Sequence, residues 1–168
     1  ELEADFNGLR SVWKGNVELH LASENMVDIV LEERLEQGML LPLGNGLLVE
    51  TSFFSPPVDL EGILDSVRSR GLFPVLAHPE RYGYMTDIEY ERLKEDGVLF
   101  QLNIPSLTGL YGSSARDKAE KFLKRGWYDL AGLDLHSYNS LKHILSSTLS
   151  EKYADGIASL RGFELIEA

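Results

Sequence analysis

Short apolar runs alternate with amphipathic stretches along most of the chain. Five runs have the length and composition of buried strands, and they fall at residues 17–22, 47–51, 73–77, 98–102 and 128–133. Apolar residues that recur every three or four positions predict helices at residues 2–13, 27–35, 60–67, 86–96, 115–123 and 141–149. Strands that alternate with helices imply a parallel sheet, because each crossover returns the chain in the same direction.

About five strand–helix units fit within the 168 residues, which is a usual length for one domain. A closed eight-stranded α/β barrel needs roughly 250 residues. The pattern therefore predicts a partial barrel or an open α/β sheet and does not choose between them. The chain opens at Glu1 within a helical pattern and without an initiator Met, so we expect that upstream sequence is missing.

The charge, hydropathy and cysteine content of the chain exclude several classes of function. The chain has 16 Lys and Arg against 27 Asp and Glu, a formal net charge of −11, which disfavours binding to nucleic acid or to anionic membranes. No apolar run approaches the roughly 20 residues of a membrane span and no signal peptide is present, so we expect no membrane insertion and a cytoplasmic protein. The absence of cysteine excludes disulfides, thiolate zinc sites and thiol nucleophiles.

Polar residues follow several of the predicted strands, where active sites of parallel α/β folds gather. They are Glu24 after the first strand, His78, Glu80 and Arg81 after the third, Asn103 after the fourth, and Asp134 and His136 after the fifth. Imidazole nitrogen and carboxylate oxygen suit Zn²⁺, Mn²⁺ or Fe²⁺. Each residue alone has an ordinary explanation, such as a surface ion pair for Arg81. Their convergence on one edge of the sheet favours a metal site beside an anion-binding guanidinium.

Three motifs in order resemble one known family. Residues 76–82 read Leu-Ala-His-Pro-Glu-Arg-Tyr and resemble the Ala-His-x-Glu-Arg-Tyr signature of the PHP-type (polymerase and histidinol phosphatase) bacterial protein-tyrosine phosphatases of capsule and exopolysaccharide systems. Residues 134–136, Asp-Leu-His, resemble the late Asp-x-His of that family, and residues 22–26 resemble its metal-binding Glu segment. The resemblance extends through residues 105–112 and covers most of the chain.

The resemblance implies a distorted TIM-like PHP barrel with two or three divalent metal ions at its C-terminal rim. Mn²⁺ is expected first, with Fe²⁺ or Zn²⁺ as alternatives. By the same resemblance the metal ligands are Glu24, His78, Asp134 and His136. Arg81 would be the catalytic residue that holds the phosphate, and Asn103 is expected to help to bind the substrate.

The implied reaction is hydrolysis of phosphotyrosine on a protein by a metal-activated water, and the implied partner is a bacterial tyrosine kinase of polysaccharide export. The family also has an early His-x-His motif, which is lacking here, since the first histidine is His20. We therefore expect residues 1–168 to be the C-terminal two-thirds of a single phosphatase domain. Because about three ligands would be missing, the expectation for these residues alone is weak metal binding, and activity is left open.

Three alternatives stay open at this stage. The first is a small-molecule phosphoesterase of the same fold, such as a histidinol-phosphate phosphatase. The second is a non-catalytic module that binds a kinase. The third is self-association of a partial barrel through its exposed sheet edge.

Overall fold

Five parallel strands form the sheet at the centre of the molecule. The structure is a computed structural model that describes residues 2–162. The strands lie side by side in their order along the chain, which is β1 (Glu24–Met26), β2 (Gly46–Glu50), β3 (Phe73–Ala77), β4 (Leu99–Asn103) and β5 (Leu130–Gly132). A doubly wound sheet reverses its strand order at a switch point. The unreversed order here is that of a barrel segment, which confirms the partial-barrel prediction.

Helices connect the strands at nearly the predicted places. Their bounds are α1 (Leu2–Val12), α2 (Leu31–Glu36), α3 (Leu60–Ser69), α4 (Asp87–Glu95), α5 (Ile104–Leu107), α6 (Ser113–Arg125), α7 (Tyr138–Ser146) and α8 (Ala154–Ala158). Two of these helices have recognisable signals at their ends. Thr86 and Glu89 form a capping box at the start of α4, and Gly126 ends α6 in the left-handed conformation that glycine adopts at low cost.

The core lies where the helices pack on the central strands. Leu47, Val49, Leu76, Phe100 and Leu102 are fully buried in β2, β3 and β4. Burial of each such side chain contributes roughly 1.5–3 kcal/mol, so the middle of the sheet is rigid. The carboxyl ends of these strands are therefore fixed supports for whatever follows them.

The prediction of a strand at residues 17–22 is wrong. These residues have no regular secondary structure, and Val17 is largely exposed. The alternation of apolar and polar residues there has the period of a strand, but a strand also needs a partner for its backbone, and β2 pairs with the chain only from Glu24 onward. Glu24 thus opens β1 instead of following it.

Two smaller differences concern the connections. The segment 103–112, which lies between a predicted strand and a predicted helix, contains the short helix α5, and the last strand is three residues long instead of six. The residues after the last predicted helix form a 3₁₀ turn at Glu151–Tyr153 and then α8. Between residues 2 and 162, every helix is too short or too polar to cross a membrane.

Candidate metal and phosphate site

Polar side chains meet at the carboxyl edge of the sheet, as the sequence predicts. Glu50 is the last residue of β2, His78 directly follows β3, Asn103 is the last residue of β4, and Asp134 lies two residues beyond β5. Four neighbouring strands thus each deliver one polar residue to the same edge. The fold brings these residues together because parallel strands all end on one side.

Glu24, Glu50 and His78 form the first cluster, which we call the inner group. The His78 Nε2 atom lies 3.2 Å from Glu24 Oε1 and 3.5 Å from Glu50 Oε2. One ligand atom from each residue lies within 4.8 Å of the others, a spacing that could hold a metal ion. The imidazole is buried, and about a quarter of each carboxylate side chain is exposed.

Glu24, Asp134 and His136 form a second cluster, which we call the outer group. One ligand atom from each of these residues also lies within 4.8 Å of the others. The Asp134 Oδ1 atom lies 2.5 Å from His136 Nε2. The Asp134 side chain is 11% exposed, but that of His136 is 75% exposed. Glu24 belongs to both groups.

The backbone is strained at two of these positions. His78 and Asp134 have φ angles of 33° and 47°, and they are the non-glycine residues with positive φ within residues 2–162. Each such conformation costs about 1–3 kcal/mol and persists only where the surroundings enforce it. The His78 amide donates a hydrogen bond of 2.9 Å to the Gln101 carbonyl oxygen, which ties the strained residue to β4. Strain of this kind clusters at functional sites.

Several features of the donor set fit divalent metal ions. Within the described residues, His78 Nδ1 and Asn103 Oδ1 are buried without a hydrogen-bond partner, and such atoms are rare unless a ligand or water satisfies them. Burial raises the pKa of the Glu50 carboxyl group, and the negative charge of Glu24 raises it further. A bound cation would offset this repulsion between carboxylates. Nitrogen and oxygen donors match Mn²⁺, Fe²⁺ or Zn²⁺.

Arg81 is held beside the outer group by three contacts. Its Nη1 atom donates to Asp134 Oδ2 over 2.5 Å. The guanidinium carbon lies 4.2 Å from the centroid of the Phe53 ring and 4.1 Å from that of the Tyr111 ring. A cation between two aromatic faces is attracted to both. The guanidinium therefore has a fixed orientation at the edge of the site.

Asn103 links the site to a buried network below it. Its side-chain Nδ2 donates to Asp134 Oδ2 over 3.4 Å, and its backbone N–H donates to Glu80 Oε1 over 3.2 Å. Glu80 also accepts hydrogen bonds from Ser106 Oγ and Tyr128 Oη, at 2.7 and 2.9 Å. Burial raises the pKa of Glu80. Glu80 is therefore engaged in this network, outside the inner and outer groups, and braces the strand ends.

Glu50 is the residue at this site that the sequence analysis missed. It lies within the predicted strand 47–51, whereas the predicted site residues are those that follow a predicted strand. A signal was present, because a carboxylate in an otherwise apolar run is rarely buried without a partner. Phe53 and Tyr111 were missed as well, since two distant loops bring their rings to Arg81.

Comparisons with known proteins found one matching family and a solved structure of similar fold. The sequence model of a family described as "Capsular polysaccharide synthesis, CpsB/CapC" matches residues 6–156. A chain from the crystal structures of YwqE from Bacillus subtilis and CpsB from Streptococcus pneumoniae, described as unique metal-dependent tyrosine phosphatases, superposes with a TM-score of 0.70. The two chains are 21% identical, and the match covers 96% of this chain and 68% of that one. The search of curated proteins returned no match.

The structural likeness shows that the fold is the partial PHP-type barrel that the motifs implied. The family match spans most of the sequence and includes every residue of the inner and outer groups. The chain belongs to the CpsB/CapC family of capsular polysaccharide synthesis.

Proposed function

We propose that this chain carries the catalytic site of a metal-dependent phosphatase that acts on phosphotyrosine in proteins. The observation that carries the proposal is the pair of histidine–carboxylate groups that share Glu24, next to the fixed guanidinium of Arg81. The solved structure with the same fold is described as a metal-dependent tyrosine phosphatase, and the family functions in capsule synthesis. Residues 1–168 would form a single phosphatase domain that corresponds to the C-terminal two-thirds of the family's domain.

The proposed cofactors are two or three divalent ions, with Mn²⁺ first and Fe²⁺ or Zn²⁺ as alternatives. Glu50 and His78 would hold one ion, Asp134 and His136 would hold another, and Glu24 would contact both. Such ions, when bound, activate a water molecule as nucleophile and withdraw charge from phosphate oxygens. A chain without cysteine has no thiolate that could attack the phosphate instead.

Arg81 and Asn103 would bind the substrate. Phosphoryl transfer spreads negative charge over the equatorial oxygens, and donors that are already oriented stabilise that charge without reorganisation. The rings of Phe53 and Tyr111 provide this orientation for the Arg81 guanidinium. The Asn103 amide already points its Nδ2 atom toward the same carboxylate as Arg81, so it can donate to a phosphate oxygen at the same place.

The proposed partner is a bacterial tyrosine kinase of polysaccharide export that carries phosphotyrosine, and the proposed compartment is the cytoplasm. Self-association is part of the proposal as well. The strands β1 and β5 are the outermost strands of the sheet within the described residues, and such edges can pair with another copy. Size-exclusion chromatography tests this point, and a monomer at all concentrations would contradict it.

Initial rates on three compounds test the proposed substrate. With Mn²⁺ present, we expect faster phosphate release from a phosphotyrosyl peptide than from histidinol phosphate or a phosphoseryl peptide. A preference for histidinol phosphate would favour the small-molecule phosphoesterase. Binding of the phosphotyrosyl peptide without phosphate release from any compound would favour the non-catalytic binding module.

A further inference from the structure

A cleft of about 230 Å³ opens on the side of Arg81 that faces α6. We call it the cationic cleft and define it by Phe53, Arg81, Tyr111, Ser114 and Lys118, which line it. We propose that the cationic cleft binds an acidic side chain that neighbours phosphotyrosine in the substrate. This inference rests on the proposed function, since it assigns a sequence preference to the same site.

Lys118 is the residue that makes an acidic ligand fit. Its Nζ atom donates to the Tyr82 carbonyl oxygen over 2.5 Å and lies 5.3 Å from the centroid of the Tyr90 ring. Within residues 2–162, no carboxylate lies within 4 Å of this ammonium group, although the side chain is partly buried. Burial lowers the pKa of Lys118, and the charges of Asp87 and Glu80 offset only part of that effect. A partly buried cation that no carboxylate contacts directly is stabilised when one arrives beside it.

The start of α6 adds to the positive character of the cleft. Ser114 is exposed in the first turn of this 13-residue helix, and that turn contains no acidic residue. The N-cap residue is Gly112, which has no side chain that could accept hydrogen bonds from the turn. The free N–H groups of a first turn carry partial positive charge. Arg81 closes the other side of the cleft.

One carboxylate does line the cleft, and it is already satisfied. Glu80 is 2% exposed and accepts hydrogen bonds from Asn103, Ser106 and Tyr128. Its oxygens are therefore engaged inside the protein, and it acts on Lys118 at a distance, without an ion pair. By contrast, the groove near β1 is lined by Asp28, Glu32 and Asp59 and would repel an acidic peptide.

The charge of the whole chain makes the inference specific. A net charge of −11 repels acidic peptides at long range. Tighter binding of an acidic peptide than of a neutral one therefore requires local cations at the bound position. The long-range repulsion and the local attraction can be separated by charge changes at neighbouring residues.

The test compares the variants S114D and S113D. Ser114 lines the cationic cleft, and Ser113, one residue earlier in the same turn, does not. Each variant adds one negative charge to the first turn of α6, where an acid favours the helix, so both should fold. Only the S114D carboxylate would compete for Lys118 and Arg81. Neither variant removes the bond between Lys118 and Tyr82.

Binding is measured by fluorescence anisotropy with two phosphotyrosyl peptides, one flanked by glutamate and one by alanine. For the parent protein we expect the glutamate peptide to bind roughly two- to fivefold more tightly, the upper part of the range for a screened ion pair. S113D should keep most of this preference and S114D should lose it. Equal binding of the two peptides by the parent, or equal losses in the two variants, would overturn the proposal.

Turnover of p-nitrophenyl phosphate separates this inference from the proposed function. That compound has no flanking residues, so its hydrolysis reports the phosphatase chemistry alone. Hydrolysis without a preference for the glutamate peptide would refute the cationic cleft and leave the phosphatase standing. A preference without hydrolysis of any phosphate ester would do the reverse.

Discussion

The inner and outer groups differ in how firmly the fold holds them. Glu24 and Glu50 of the inner group are strand residues, and His78 is buried directly after a strand. In the outer group, Asp134 and His136 lie in the irregular segment after β5, and the His136 side chain is 75% exposed. Ligands on rigid elements lose little entropy when they bind a metal. The inner group is therefore the preformed half of the site.

The outer group is held by its own contacts instead. Asp134 accepts a hydrogen bond from Arg81 and another from Asn103, and it lies against His136. If Asp134 binds a metal ion in place of Arg81, the guanidinium loses its anionic partner but keeps its two aromatic neighbours. The guanidinium would then be free to bind a phosphate in an orientation that is already set. The groups thus differ in that the inner one is preformed, whereas the outer one contains a carboxylate, Asp134, that also orients Arg81.

The largest effect is expected from loss of the guanidinium. Arg81→Ala should lower the rate on a phosphotyrosyl peptide by roughly 10²–10³-fold, because a contact to the charge of the transition state is lost. Metal content should be retained, since Arg81 is in neither group of ligands. Steady-state kinetics and metal analysis measure the two quantities. Arg92→Ala, which breaks a surface ion pair with Glu61, is the control, and a parental rate for Arg81→Ala would remove it from the mechanism.

A loss in the inner group should weaken metal binding strongly. Glu50→Gln removes a charged ligand from the preformed half, and we expect the affinity for Mn²⁺ to fall by about 10²-fold, the upper end of the range for losses around metal sites. Isothermal titration calorimetry measures the affinity. Glu95→Gln changes an exposed glutamate at the end of α4 and should leave it unchanged. Equal affinities for the two variants would exclude Glu50 as a ligand.

A loss in the outer group should have a smaller effect on the same affinity. For His136→Ala we expect about a tenfold decrease, because an exposed ligand in an irregular segment contributes less than a preformed one. His143→Ala, an exposed histidine of α7, is the matched control. An effect larger than that of Glu50→Gln would reverse the comparison between the two groups.

The smallest effect is expected from a change in the buried hydrogen-bond network around Glu80. Tyr128→Phe removes one of the three hydrogen bonds that Glu80 accepts, and the free energy of unfolding should fall by about 1 kcal/mol. Urea denaturation measures this change. Tyr138→Phe, in which the altered ring is exposed, should have no effect. A stability unchanged by Tyr128→Phe would show that the network around Glu80 does not brace the strand ends.

The sequence predicted most of the site because a local pattern determines where strands end. The apolar run at 73–77 coincides with β3 and the run at 98–102 is one residue out of register with β4, so His78 and Asn103 were found directly. Glu24 was found on a mistaken strand assignment, since residues 17–22 are irregular. The short distance between Glu24 and His78 depends on how β1 pairs with β2. The apolar pattern along the chain does not show this pairing.

The residues that were missed share a physical reason. Glu50 lies inside a strand, and only the pleat and the position of the strand end show that its side chain reaches the edge. Phe53 and Tyr111 come from two connections that are 58 residues apart in sequence (111 − 53) and meet only at Arg81. Such contacts arise from tertiary packing, which a single sequence does not reveal by pattern.

The most direct test of the whole account is phosphate release from a phosphotyrosyl peptide, measured with added Mn²⁺ and again with a chelator. A metal-dependent phosphatase should release phosphate with Mn²⁺ and lose this activity with the chelator, and Arg81→Ala should be nearly inactive under both conditions. Release that persists in the chelator, or that Arg81→Ala leaves unchanged, would contradict it.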